Sequence, residues 1–473
     1  MDSIAILKLF ALLLGLYMAW NIGANDVANA MGTSVGSKAL SLRRAVILAA
    51  ILEFSGAFFV GSSVSETIQR GIIDPSIFEH HSTVFILGML GSLLSTGVLL
   101  QLASYFGLPV STTHAIVGAV IGFGAVIGGI DAIHWDGVGW IAASWVISPV
   151  LSGLVAHGIF RAIQRNVLYA LNPVQAAQKL TPLFVFLCFS VMSLSLLSER
   201  IAEQFHLSSP LIFALSLSIG SVAAGISYFL VQRIPEPVLQ ASEGFSMQQA
   251  VGMEKALHHL QRVHLANQHE HQGEQISHVL AQMRKLNESI KKSALFNASS
   301  SQYQGVEKIF ISLQILSACL VAFAHGANDV ANAIGPVAAV LSALETQTIA
   351  TQSEVPAWLL ALGGGGIVIG LATWGWRVIE TVGKKITELT PTRGFAAEFG
   401  AAATILLASK LGLPISTTHA LVGAVLGVGM AGGIRALNLQ ILREIVLSWI
   451  VTIPLCAGLS IASFYLLKWI FIP

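Results

Sequence analysis

Charge is what this 473-residue chain has least of: Asp, Glu, Lys and Arg make up only 10% of it, against about 25% in soluble globular chains. A surface exposed to water over most of its area is thereby excluded. A net charge of +1 leaves no basic footprint for nucleic acid. Cysteine is scarce as well. Cys188, Cys319 and Cys456 lie far apart in apolar runs, without metal-ligand spacing, and read as packing residues. The N-terminus carries Asp2 and no basic stretch ahead of its apolar run, which favours an uncleaved first span over a signal peptide. The short alternating segments of a membrane barrel are also missing.

What is there instead is continuous apolar sequence. Hydrophobic residues make up 54% of the chain, and the mean hydropathy is +0.75. The runs fall at 4–22, 43–63, 83–105, 110–130, 138–160, 181–198, 209–232, 309–325, 356–376, 395–409, 414–434 and 445–470. Most are about 20 residues, the length of a helix crossing a bilayer. The expected fold is an all-α polytopic membrane protein of about twelve segments. With the N-terminus outside, twelve Lys and Arg fall on inside loops and five on outside loops, the long 233–308 loop set aside. Positive-inside asymmetry therefore places both termini outside and that loop in the cytoplasm, in the cell (inner) membrane.

Two motifs occur twice. Gly23-Ala24-Asn25-Asp26-Val27-Ala28-Asn29-Ala30 returns unchanged as Gly326–Ala333, 303 residues later. GLPVSTTHAIVGAVIGFG (107–124) returns as GLPISTTHALVGAVLGVG (412–429), identical at 14 of 18 positions, 305 residues later. The chain is expected to divide into a membrane repeat (1–165), two intervening segments (166–232), the loop (233–308) and a second membrane repeat (309–473). Seven crossings from the start of one repeat to the start of the next predict inverted topology, as in many secondary transporters. The loop has apolar residues at helical spacing on both sides of a turn near Asn267–Gly273 and reads as a helical hairpin. Its histidines (His258, His259, His264, His269, His271, His278) are assigned to that solvated hairpin rather than to a metal site.

The octapeptide puts a carboxylate and two amides where an apolar helix would continue. An intramembrane carboxylate needs a cavity or a partner. Asp26 with Asn25 and Asn29, and Asp329 with Asn328 and Asn332, offer hard oxygen ligands suited to Na+ or a proton, with Asn25 or Asp26 expected to cap a following half-helix. In the second motif Pro109 and Pro414 precede Ser111-Thr112-Thr113 and Ser416-Thr417-Thr418, which read as helix starts. Unpaired N–H groups, the helix dipole and hydroxyls there make an anion site without Lys or Arg. Broken helices are thus expected at both motifs. His114 and His419 follow, with a proton-carrying, orienting or packing role left open. Glu53 and Glu398 are unshared acids within spans, assigned to cation coupling.

These paired GANDVANA and GLP-[VI]-STTH motifs resemble the inorganic phosphate transporter (PiT) family of cation-coupled phosphate permeases. The resemblance covers both repeats but not the His-rich loop. It implies that phosphate lies between the repeats, held by Asn25, Asn29, Ser111, Thr112 and Thr113 with Asn328, Asn332, Ser416, Thr417 and Thr418. Cations would be held by Asp26, Asp329, Glu53 and Glu398, with Asn25 and Asn328 adding ligands. Glu53 and Glu398 fall where the family has functionally important glutamates. The family includes Na+- and H+-driven members, carriers of metal–phosphate and some of sulfate. The expected function is phosphate import by Na+ symport with alternating access. H+-coupled (metal-)phosphate or sulfate transport is the alternative, and an ion channel the reading from another class. No cofactor and no enzyme activity are implied. Oligomeric state is left open, a homodimer included.

Overall fold

The computed structural model describes residues 3–78, 81–106, 110–234, 247–266, 272–296, 301–346, 355–376, 379, 390–432 and 439–472. Pro109, the loop-turn residues 267–271 with His269 and His271, and the loop cations Arg377, Lys384, Lys385 and Arg435 lie outside them. The helices are α1 Ser3–Gly36, α2 Leu42–Val60, α3 Ser62–Arg70, α4 Ser82–Tyr105, α5 Thr112–Phe123, α6 Trp135–Ile163, α7 Pro173–Leu197, α8 Arg200–Phe205, α9 Ser209–Val231, α10 Met247–Ala266, α11 Gln272–Phe296, α12 Ser301–Thr346, α13 Ala357–Gly370, α14 Pro391–Lys410, α15 Thr417–Gly432 and α16 Leu439–Phe471. Short π turns extend α5, α6 and α13. Among the described residues no strand forms beyond an isolated Ile73–Ile133 bridge.

Among the described residues each of the twelve apolar runs forms mostly helix, yet they do not all have the dimensions of a crossing. Eight helices among the described residues are long and apolar enough to span, or nine if α2 and α3, bent by 65° at their junction, count as one. The helices opened by the Ser-Thr-Thr motifs, Thr112–Gly128 and Thr417–Ala431, are shorter. Their polar N-termini stop them inside the protein. Counting crossings therefore does not carry the inverted topology.

What carries it is the pairing of α1 with α12, the matching helices of the two repeats. Lys8 meets Glu345 at 3.0 Å, Asp26 meets His325 at 4.0 Å, and Ser37 Oγ donates to Gln314 Oε1 at 2.7 Å. One number rises as the other falls along the whole pair, so the helices run antiparallel. Neighbours follow the same symmetry. The first helix packs on α4 and across the repeats on α13, while α12 packs on α14 and across on α2. Likewise α5 packs on α16, and α15 on α6. Each repeat thus completes the other's core.

Helices α10 and α11 pack on each other, with Leu257 and Leu280 buried. At the corner between α2 and α3, Glu199 accepts from Ser62 Oγ (2.8 Å) and Ser63 Oγ (3.1 Å), and Arg200 stacks on Phe58. Burial pushes the Glu199 carboxyl up to about 7 against the hydroxyls, which pull it down. A raised folded-state pKa favours the neutral form, so folding loses stability as pH climbs from the ordinary carboxyl range through about 7. Glu199→Gln is expected to raise the melting temperature in detergent at pH 8 and to change it little at pH 4. Destabilisation by this variant at pH 8 would overturn that reading.

Candidate functional site

The octapeptides sit in the middle of α1 and α12, and neither helix breaks there. Asn25 and Asp26 are therefore interior helical residues rather than caps, a correction to the expected helix breaks at this motif. The reason is that their side chains find partners across the protein, so the backbone can keep its own helical bonds. Gly23 and Gly326 have a matching role. A Cβ on Gly23 would stand 1.9 Å from the Ile367 carbonyl oxygen, and one on Gly326 would stand 2.0 Å from that of Glu53. Both glycines let a helix of the other repeat cross in backbone contact.

At the second motif the helices do start as expected. Ser111 accepts from His114 N (3.2 Å) and Ser416 from His419 N (3.3 Å), a capping bond at each N-terminus. The two starts approach head to head, with Thr113 Oγ1 donating to the Ile415 carbonyl at 2.9 Å.

The motifs then interlock across the repeats. Asn29 Nδ2 donates to Thr418 Oγ1 (2.8 Å) and to Asp26 Oδ1 (3.3 Å). Asn332 Nδ2 donates to Thr113 Oγ1 (3.2 Å) and Thr112 Oγ1 (3.3 Å). Thr417 Oγ1 donates to Asp329 Oδ2 at 3.0 Å. Asn25 and Asn328 turn outward to equivalent hydroxyls, Ser104 and Ser409, each at 3.1 Å. All these octapeptide and Ser-Thr-Thr side chains are buried. Two helix N-termini with four threonine hydroxyls thus converge beside two aspartates. Positive dipole ends suit an anion, and the carboxylates suit cations next to it.

His114 and His419 stand one residue deeper. Their rings meet edge to face, with centroids 4.4 Å apart, and His114 packs on Trp145 at 3.9 Å. They form an aromatic layer behind the threonines.

Sequence reasoning missed His325. Its Nε2 lies 3.0 Å from Asp329 Oδ2 and 4.0 Å from Asp26 Oδ2, and its Nδ1 lies 3.3 Å from Glu53 Oε1. One fully buried imidazole thus gathers three carboxylates from α1, α2 and α12. Ligand atoms of Asp26, His325 and Asp329 fall within 4.8 Å of one another, a spacing that could hold a metal ion. Among the described residues, Asp26 Oδ2, Asp329 Oδ1 and Glu53 Oε2 accept no hydrogen bond, and Glu53 Oε1 meets only the His325 ring. Buried carboxylate oxygens in that condition call for a cation or a proton. The signal available was position: His325 directly precedes the second octapeptide, where the first copy has Ile22. A search for shared residues passes over it.

Glu398 is not part of this cluster. Its Oε1 accepts from Thr33 Oγ1, from Ser34 Oγ (2.8 Å) and from Gln314 Nε2 (3.4 Å), and its Oε2 from Ser317 Oγ (2.5 Å). Thr33 lies seven residues beyond Asp26 on α1, about 10 Å along the axis. At the repeat offsets Glu398, Gln314, Ser317, Thr33 and Ser34 correspond to Leu93, Ala11, Leu14, Pro336 and Val337, all apolar. Similarly, the crossings at Gly23 and Gly326 pair Glu53 with Ile367. Each repeat therefore adds one polar pocket to a symmetric centre.

Known proteins resemble this chain over almost its whole length. Residues 22–460 match the model of the phosphate transporter family. A chloroplastic inorganic phosphate transporter 2-1 from Arabidopsis thaliana is 45% identical over 98% of this chain and 72% of its own length. A putative phosphate permease from Chlamydia pneumoniae is 44% identical over 98% of this chain and 99% of its own. The solved structure of a sodium-dependent phosphate transporter superposes with a TM-score of 0.80 at 36% identity, covering 98% of this chain and 100% of that one. The resemblance carried by the two motifs thus extends over almost the whole sequence. This multi-pass membrane protein is a transporter rather than an enzyme, and it belongs to the phosphate transporter family.

Proposed function

We propose that the protein is a secondary active symporter that imports inorganic phosphate together with Na+, by alternating access between two inverted membrane repeats. The observation that carries this reading is the meeting of two helix N-termini, at Thr113 and Thr418, with buried aspartates of which Asp26 Oδ2 and Asp329 Oδ1 accept no hydrogen bond among the described residues. The similar solved structure is that of a sodium-dependent phosphate transporter, which supports the choice of ion. In the proposed division of labour, Ser111, Thr112, Thr113, Asn25 and Asn29 with Ser416, Thr417, Thr418, Asn328 and Asn332 surround phosphate. Asp26, Asp329 and Glu53 hold cations beside it, assisted by amide oxygens of Asn25 and Asn328. Glu398, with the oxygens of Thr33, Ser34, Ser317 and Gln314, is a second and separate Na+ site.

Electrostatics explains the pairing. An anion entering against a negative interior pays about 2.3 kcal/mol per charge per 100 mV, and co-transported cations offset that. Opposite charges in a dry site raise each other's affinity, which is coupling in the thermodynamic sense. Both termini would face outside the inner membrane, with the 233–308 loop in the cytoplasm.

His325 among three carboxylates supports H+ coupling as a second reading. Phosphate uptake into proteoliposomes under separate Na+ and H+ gradients separates the two. Uptake that follows the Na+ gradient at constant pH is expected, and uptake indifferent to Na+ but driven by the proton gradient would reject Na+ coupling. For the anion side, Thr113→Ala and Thr418→Ala should each weaken phosphate binding by about 1–3 kcal/mol, the cost of a lost buried donor. Unchanged affinity in both would remove these hydroxyls from the site.

A further inference from the structure

Outside the transport centre, an apolar groove of about 670 Å³ opens between α7, α9 and α12. Its walls include Val185, Phe189, Val222, Ile226, Leu230 and Leu313. Along α9 these residues recur at helical spacing, and Val222, Ile226 and Leu230 are exposed. On a surface that faces bilayer, hydrocarbon is the natural filling for such a groove.

One end of the groove is different. Gln178 Nε2 donates to the carbonyls of Val231 (3.4 Å) and Ile234 (3.1 Å), which fixes the end of α9 against the start of α7. Phe184 meets Phe310 at 6.2 Å, which sets the early turns of α12 at the same level. Lys179 of α7, Lys308 of α12 and Arg233, two residues past the end of α9, stand near that level, and all three are exposed. None of the three forms an ion pair among the described residues. The neighbouring carboxylate, Glu307, is turned away to α14, accepting from Thr392 N (3.0 Å) and Thr392 Oγ1 (2.9 Å).

We propose that this groove binds an anionic phospholipid, with an acyl chain along α9 and the phosphate head group at Lys179, Arg233 and Lys308. Apolar walls supply the chain site, and three cations at one rim that no described carboxylate neutralises select a negative head group on the face that carries the 233–308 loop. The site joins the two helices outside the repeats to α12, so its occupant would bridge them to the helix that carries Asp329. The proposal is independent of which ion drives transport.

Native mass spectrometry of the detergent-purified protein, exchanged into equal amounts of phosphatidylglycerol and phosphatidylcholine, tests it. The wild type should retain phosphatidylglycerol at least tenfold over phosphatidylcholine. Neutralising Lys179, Arg233 and Lys308 together (each to Gln) should remove that preference, at about fivefold per cation. Ala223→Trp, which fills the groove and leaves the cations intact, should lower occupancy by either lipid. Millimolar inorganic phosphate should not displace the bound lipid. Equal retention of the two lipids by the wild type would overturn the proposal, as would a preference that survives the triple change. Displacement of the lipid by free phosphate would also overturn it. So would a lipid-free dimer that Ala223→Trp converts to monomers, since the groove's occupant would then be a second copy of the chain.

Discussion

Asp26→Asn and Asp329→Asn should each reduce Na+-dependent phosphate uptake by at least about a hundredfold, while the protein still reaches the membrane. The argument begins from burial. Both carboxylates are essentially inaccessible, at 1% and 0% exposure, and both lie against His325. A buried charge left without its partner loses about 3–5 kcal/mol; when the charge left without a partner is the bound cation, that is about a hundredfold or more in its affinity, at about 1.4 kcal/mol per factor of ten. The loss should appear first in the Na+ dependence, because the amide keeps the shape but removes the negative charge and turns one acceptor oxygen into an N–H donor. Transport by Asp26→Asn with an unchanged Na+ requirement would take Asp26 out of the cation site. Glu398→Leu is an informative companion, since it installs the residue found at the matching position of the first repeat. It should weaken Na+ activation while leaving phosphate affinity at saturating Na+ nearly intact.

The second large effect is steric. Gly326→Ala would drive a methyl group to 2.0 Å from the Glu53 carbonyl oxygen, and Gly23→Ala would do the same to Ile367 at 1.9 Å. Backbone cannot rotate out of the way as a side chain can, so α2 and α12, or α1 and α13, must separate. Ordinary overpacking costs about 1–3 kcal/mol, and a backbone overlap in the middle of two long helices should reach or exceed that. Both variants should lose transport together with thermal stability. Gly365→Ala is the control, because a Cβ there meets nothing within 4 Å. Normal melting and transport in Gly326→Ala would show that the close crossing is dispensable.

Much of this was legible in the residues alone. The 303- and 305-residue offsets identify the repeats, and Ser-Thr-Thr two residues after a Pro and before an apolar run marks a helix start whose capping bonds are present. Continuity of α1 and α12 through Asn25-Asp26 and Asn328-Asp329 was not legible. Polar residues ending an apolar run look like a helix end unless their partners are known, and those partners lie as far away as Thr418 is from Asn29. His325 and the Glu398 pocket were hidden for a related reason. Their importance comes from breaking the symmetry, and matching the two halves selects only what they share. Thr33, Ser34, Gln314 and Ser317 are unremarkable hydroxyl and amide residues in sequence, and only folding gathers them on one carboxylate. Among the described residues α5, α14 and α15 are not among the candidate spans; for α5 and α15 the reason is that apolarity measures what a segment avoids, whereas these helices are set by polar N-termini inside the protein.

The central claim is that one buried site couples phosphate, between the Thr113 and Thr418 helix starts, to cations on Asp26 and Asp329. Equilibrium binding of radiolabelled phosphate to purified protein, titrated with Na+ at constant pH and ionic strength, tests it most directly. The expected result is a phosphate Kd that tightens at least tenfold with Na+ in the wild type and no longer responds in the Asp26→Asn/Asp329→Asn double variant. A Kd that is independent of Na+ in the wild type, or one that tightens equally in the double variant, would contradict the account.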